Sequence, residues 1–266
     1  MNIIVCVKQV IDPEAPPRSF KIDAGGTRAE MQGAPPVIDP YGEFAVEAAL
    51  KVKEAAGNGK ITALSLGTGL LREVVKKPLA MGADALILLE DAAFAGGDGW
   101  STASALAAAI RKTGEYDLIL CGREASDTNA GQTGPGIAAI LGLPCVTLVR
   151  RIDVAGDTAK VERVTSAGYE VVEVPLPAVM TVSNEIGEPR YPTIKGIMAA
   201  KKIEPVVWKP ADIGIEPSQV GASGRRLKMN RLFQPVHEGK CELASGETPE
   251  EVAANLAARL REAKIF

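Results

Sequence analysis

The residues best placed to do chemistry lie in one stretch, Cys121-Gly-Arg-Glu-Ala-Ser-Asp-Thr-Asn-Ala-Gly-Gln-Thr-Gly-Pro-Gly136. It leaves an apolar run, passes through small and polar residues, and enters a helical pattern. In an open α/β sheet, ligands bind outside the carboxyl ends of the strands. A helix start there adds unpaired N–H groups and a positive dipole end. Gly131 and Gly134 allow close backbone approach, Gln132 and Thr133 supply amide and hydroxyl donors, and Asp127 could accept from a ribose hydroxyl. This is chemistry for holding a nucleotide phosphate, with no choice among nucleotides. The plainer alternative is a glycine-rich turn with Pro135 early in a helix.

A second constellation runs from Asn184 to Met198 and ends in Lys201-Lys202. Its prolines and glycines describe an ordered, protruding turn. Ile194, Ile197 and Met198 then fall at helical spacing on a short helix. Such a stripe is more often packed into a core; the other reading is an exposed apolar anchor for a partner.

Other chemistry has little support. GxxxxGK[ST], HExxH and GxSxG are all missing, and the single histidine, His237, sits in a loop-rich tail where a surface role is expected. Gly67-Thr68-Gly69 follows a strand-like run, but Arg72 stands where a dinucleotide fingerprint needs its third glycine. Cys6, Cys121, Cys145 and Cys241 are far apart and form no CxxC pair, so reduced thiols are expected rather than a disulfide framework or a zinc site.

The elements that must position these residues are legible from periodicity. Short apolar runs at Ile3–Val7, Ile61–Leu66, Ala85–Leu89, Leu118–Cys121 and Cys145–Val149 alternate with helical patterns at Tyr41–Ala55, Leu70–Met81, Ser101–Arg111 and Gly136–Leu143. This alternation predicts an α/β fold with a Rossmann-like, doubly wound, mostly parallel sheet. Pro78 should kink or delay the second helix. Residues 11–40 read as an irregular excursion with a hairpin near Ala24-Gly25-Gly26. Beyond Arg150 three successive strands are expected (Ala159–Val164, Glu170–Val174, Ala178–Ser183), then a helix at Thr193–Ala200 and a strand at Glu204–Trp208. From Lys209 the chain is polar and punctuated by Pro and Gly until a last helix, Pro249–Ala263. We expect a nucleotide-binding domain over 1–205, including a loop at 184–200, and an extended C-terminal arm over 206–266. From pattern alone, that arm could wrap another subunit or pack back on its own domain.

Composition sets the outer bounds. The 266 residues are 46% hydrophobic but only 4% aromatic, and the net charge is −3. Such a chain can fill an aliphatic core and has no overall positive field to attract nucleic acid. No apolar run is long enough to span a bilayer, and the chain opens directly on a strand without a leader-like segment. The expectation is a soluble, cytoplasmic protein that does not insert into membranes.

Together these segments resemble the electron-transfer flavoprotein β family. The resemblance is carried by Val5-Cys-Val-Lys-Gln-Val-Ile-Asp12, Ile38-Asp-Pro-Tyr-Gly-Glu-Phe-Ala-Val-Glu-Ala-Ala49, Leu79-Ala-Met-Gly-Ala-Asp84 and Pro177-Ala-Val-Met-Thr-Val182 with Pro189-Arg-Tyr191, and it spans nearly the whole chain. It implies a non-catalytic subunit paired with an electron-transfer flavoprotein α subunit that holds the redox FAD. It also implies docking onto flavin-dependent dehydrogenases. The family's nucleotide pocket, usually filled by AMP, maps here onto Cys6, Asp39, Leu66 and Asp127, with Gly131, Gln132, Thr133 and Gly134. Its recognition loop maps onto Tyr191, Ile194, Ile197 and Met198, with Ile194 as the apolar anchor, and its α-embracing arm onto the tail.

The match has departures. Ser166-Ala167-Gly168 stand where an acidic residue is wanted after Arg163. Phe94-Ala-Gly-Gly-Asp98, Gly122-Arg123 and Gly134-Pro135 resemble electron-bifurcating members, which hold a second FAD in the same pocket. AMP is the leading expectation and FAD the alternative. An adenine-nucleotide sensor of the universal-stress type is a further alternative, which the polar tail argues against.

Overall fold

The computed structural model describes every residue except Gln32, His237, Glu238 and Lys240, so the lone histidine noted above lies outside the described residues. The chain divides into two compact units, Met1–Arg231 and Leu232–Phe266.

The first unit is built on a nine-stranded sheet. Its strands are β1 (Asn2–Val7), β2 (Lys60–Gly67), β3 (Ala85–Glu90), β4 (Leu118–Gly122), β5 (Cys145–Ala155), β6 (Thr158–Thr165), β7 (Gly168–Pro175), β8 (Ala178–Val182) and β9 (Val206–Trp208). The spatial order is β7-β6-β5-β8-β4-β1-β2-β3-β9. All pairings are parallel except within the β5-β6-β7 meander.

The central strands are aliphatic throughout because both faces are covered. Alternate residues feed two cores. Ile3, Val5, Ile61, Leu86, Leu118 and Met180 face α1 (Pro40–Ala56). Ile4, Cys6, Leu64, Ile119, Cys121 and Val179 face α2 (Gly99–Thr113) and α3 (Thr133–Leu141). The helices can lie close because their inner faces are largely alanine, as with Ala45, Ala48 and Ala49 on α1 and Ala103, Ala105 and Ala109 on α2.

The helix expected over Leu70–Met81 forms as two short ones, Arg72–Val75 and Lys77–Met81. Pro78 sits in the first turn of the second, where its missing N–H costs nothing. The hairpin in the early excursion pairs Phe20–Ile22 with Ala29–Met31.

The segment after Pro205 contributes more to this unit than its polarity implies. Strand β9 pairs with β3, and Ile213 and Val220 are buried in the second core. The compact unit therefore ends 26 residues beyond the sequence-based boundary at 205, at Arg231. Isolated anchors, Ile213 on the 3-10 turn at Pro210 and Val220 just after the one at Pro217, leave no periodic trace to read.

The second unit contains α5 (Pro249–Glu262), capped by Thr248, whose hydroxyl accepts from the Glu251 N–H. None of its described residues is buried, and Leu256, Ile265 and Phe266 are exposed. Among the described residues, no helix is long and apolar enough to cross a membrane.

Candidate functional site

Strands β1, β2 and β3 step outward on one side, and β4 then returns to the other side of β1. That reversal opens a crevice at the carboxyl ends of β1 and β4, the place where doubly wound sheets bind ligands. A cavity of about 250 Å³ lies there.

Seven of the eight residues mapped onto a nucleotide pocket line it: Cys6 and Leu66 from strand ends, Asp39 from the start of α1, and Gly131 to Gly134 at the start of α3. The eighth, Asp127, is not among the lining residues. Its two carboxylate oxygens accept from Lys8 Nζ at 2.6 and 2.7 Å, and Lys8 itself lines the cavity.

Asp39 is only 2% exposed, and its carboxylate is engaged by the protein. One oxygen accepts from the Tyr41 N–H at 2.9 Å and caps α1, while the other accepts from the Ser126 N–H and hydroxyl, both at 2.7 Å. Asp39 therefore ties the loop after β4 to the first turn of α1.

The loop itself doubles back through Asn129 and Gly131, at φ 47° and 60°. Asn is among the few residues that tolerate this left-handed conformation, and Gly meets no steric cost in it. The fold-back presents the start of α3 to the cavity, where the first backbone N–H groups have no intrahelical partner.

Three further residues contribute, of which Asp98 and Arg123 belong to segments that resemble bifurcating members and Lys8 was given no role from sequence. Lys8 is a cation at the end of β1. Asp98 caps α2 in a reciprocal box with Ser101, and its second oxygen accepts from the Arg226 and Leu227 N–H groups at 2.7 and 2.8 Å. The Arg226 guanidinium carbon then lies 3.4 Å from the Trp100 ring centroid. Burial pushes the Asp98 carboxyl up, but the bonds from Ser101, Leu227 and Arg226 outweigh it, so the group sits below the ordinary carboxylate range. Arg123 lies over the Tyr41 ring at 5.1 Å and pairs with Glu124 at 2.9 Å. The Asp98-Gly-Trp-Ser101 pattern is a legible cap; the strap that Asp98 holds is 128 residues away and is not.

The floor is apolar, with Cys6 and Cys121 side by side in register on β1 and β4. The neighbouring Cys6 thiol and burial push the Cys121 thiol well above the usual thiol range, so it is present as a neutral thiol. An apolar floor, unpaired helix-start amides and one nearby lysine are a donor set for a flat heterocycle carrying phosphate.

The four residues of the second constellation are placed apart from this cavity, on the outside of the fold. Helix α4 (Ile194–Lys202) buries Ala200 only. Tyr191 is 93% exposed and Ile194 82%, with Met198 and Ile197 at 54% and 42%. The stripe is therefore exposed and not packed into the core.

Fold and site together define a doubly wound α/β protein with a crevice at its topological switch point. The profile of the electron transfer flavoprotein domain matches residues 29–213. Over their whole lengths, the chain is 38% identical to the electron transfer flavoprotein subunit beta of Thermoanaerobacterium thermosaccharolyticum and 37% identical to the caffeyl-CoA reductase-Etf complex subunit CarD of Acetobacterium woodii. It is 39% identical to the Megasphaera elsdenii electron transfer flavoprotein subunit beta over 88% of each chain. The chain belongs to the electron transfer flavoprotein β-subunit family.

Proposed function

We propose that this chain is the nucleotide-holding, partner-docking half of a heterodimeric electron carrier. Its α partner holds the FAD that accepts and donates electrons. This chain breaks no covalent bond; it supplies the scaffold, keeps AMP in the crevice between β1 and β4, and presents α4 to flavin-dependent dehydrogenases. The observation that carries this reading is the crevice, where helix-start amides, Lys8 and an apolar floor converge. Bound AMP stabilises the folded state by mass action and need not react. A small apolar anchor beside Lys195, Lys201 and Lys202 suits a contact that forms and releases quickly.

A second reading places another FAD in the same crevice, making the complex electron-bifurcating. It is favoured by the position of Gly97, Asp98, Gly122 and Arg123, all of which line the cavity and belong to the segments that resemble bifurcating members. The test is to co-express this chain with its α subunit, denature the complex, and identify the released ligands by mass spectrometry and absorbance. One FAD with one AMP supports the conventional carrier. Two FAD without AMP moves redox chemistry into this chain, and no adenine compound beyond the α-subunit FAD overturns both readings of the crevice.

A further inference from the structure

The docking turn of residues 184–202 is exposed, yet it is held in place at three points. Arg190 is the main one. Its backbone N–H and Nε both donate to Glu47 Oε2, at 3.1 and 2.9 Å, and its Nη2 donates to Glu47 Oε1 at 3.0 Å. The remaining face of the guanidinium meets Glu54, with Nη1 at 2.5 Å and Nη2 at 3.1 Å from its two oxygens. Glu47 is a carboxylate only 4% exposed, and such a group is retained in a fold only when paired and hydrogen-bonded. The second point is Lys51, which lies between Glu47 and Glu54 on α1 and whose Nζ donates to the Ile186 carbonyl at 2.7 Å.

Glu47, Lys51 and Glu54 are spaced i, i+4 and i+7, so they form one stripe along the outer face of α1. The third point is Gly196. A Cβ there would stand 2.3 Å from the Ala80 carbonyl oxygen, so the first turn of α4 is seated directly on the Lys77–Met81 helix.

We propose that Arg190 is a positioning residue for partner recognition. By locking the turn onto α1, it holds Tyr191, Ile194 and Met198 in the arrangement that a dehydrogenase pocket receives. The turn is thus preorganised, and docking does not have to order it. This rests on the docking reading of Ile194 given above, and the two are separable. Lysine cannot replace the planar fork, which meets two carboxylates at once.

The test uses the intact heterodimer and a purified FAD-containing dehydrogenase that reduces the wild-type complex. Arg190→Gln and Arg190→Lys should raise the KM for the dehydrogenase by about fivefold or more while kcat changes by less than about twofold. Nucleotide content should be unchanged, and amide exchange over 187–198 should speed up. Since Arg190→Gln leaves Glu47 buried without its partner, Glu54→Gln serves as a milder variant that disturbs only the exposed half of the fork. It should raise KM in the same direction by a smaller factor.

If Ile194→Ala raises KM but neither Glu54→Gln nor the Arg190 variants do, the positioning role is overturned and the docking reading stands. Ile194→Ala without effect removes the docking reading, and the positioning role with it. A fall in kcat at constant KM, or unaltered exchange over 187–198, also overturns the positioning role.

Discussion

Lys8 at the end of β1 donates to both carboxylate oxygens of Asp127, which lies 119 residues further along the chain. The pair sits at the edge of the crevice, and both side chains are partly solvent-exposed. Its geometry gives Asp127 a job that spacing could not disclose. The carboxylate holds a cation that lines the crevice, and it would compete for that cation with any phosphate bound there.

Opposite signs follow for the two residues. Lys8→Gln should weaken AMP binding to nucleotide-stripped heterodimer by roughly three- to tenfold at low salt, the range a partly exposed charge contact supplies. Asp127→Asn should leave the affinity unchanged or tighten it, because an opposing negative charge is removed. Calorimetric titration of AMP into each variant checks this. Equal weakening by both substitutions would return Asp127 to the role of direct ribose acceptor.

Asp39 carries a different burden, since its oxygens serve three protein donors. Asp39→Ala removes the α1 cap and both anchors of Ser126. It should cost about 1–3 kcal/mol of stability, the range for a lost cap together with buried donors left unmet. Nucleotide retention should fall with it, as the loop after β4 is no longer tied to α1. Ser126→Ala removes one bond only and should cost about 1 kcal/mol. Denaturant unfolding gives the first quantity, and bound nucleotide after gel filtration the second. Asp39→Ala with undiminished nucleotide content would separate Asp39 from the site.

How much of this was legible follows from the range of each interaction. Strand and helix positions around Ile3, Leu64, Ala105 and Ile119 were readable because burial imposes a period of 2 or 3.6. The position of Gly131 to Gly134 at the crevice was readable because glycines, a hydroxyl and a helix start recur together. Lys8–Asp127, Asp39–Ser126 and Asp98–Arg226 were not, since each joins residues 87 to 128 positions apart through one side chain. Ile194 lay between these cases. Its spacing announced a helix, but only the seat of Gly196 on Ala80 decides which side faces outward.

Asp98 supplies a pH-dependent test. Its folded-state carboxyl is held below the ordinary range by N–H bonds from Ser101, Leu227 and Arg226 against an opposing effect of burial. A carboxyl lowered on folding contributes stability that is present above its unfolded value of about 3.9 and is lost as pH falls through the folded value. The strap at 226–227 should therefore loosen in acid below about pH 4, and Asp98→Ala should loosen it at neutral pH. Trypsin reads this directly, because Arg225 and Arg226 lie on the strap. Asp98→Ala should be cut there faster at pH 7.5, with a stability loss of about 1–2 kcal/mol for the missing cap. Cleavage at the wild-type rate would mean that the Arg226 stack on Trp100 holds the strap without Asp98.

The final prediction concerns what the tail is for. The buried apolar residues all fall before Arg231, so a chain ending at Arg231 retains both cores, the crevice and the α4 surface. It should fold cooperatively, with a denaturation midpoint close to that of the full chain, because it keeps every buried apolar residue of the first unit. The unit from Leu232 to Phe266 buries none of its described residues. A capped 14-residue helix, α5, is marginal in water without an apolar face to cover. Its exposed Leu256 is a natural contact for a second subunit, and we propose the α subunit as that partner. Truncation at Arg231 should then weaken heterodimer formation by at least about tenfold, measured by sedimentation of the two purified chains. A truncated chain that is folded and still pairs with full affinity would assign the α-subunit contact to the first unit alone. A truncated chain that fails to fold would instead show that residues 232–266 complete the core of their own subunit.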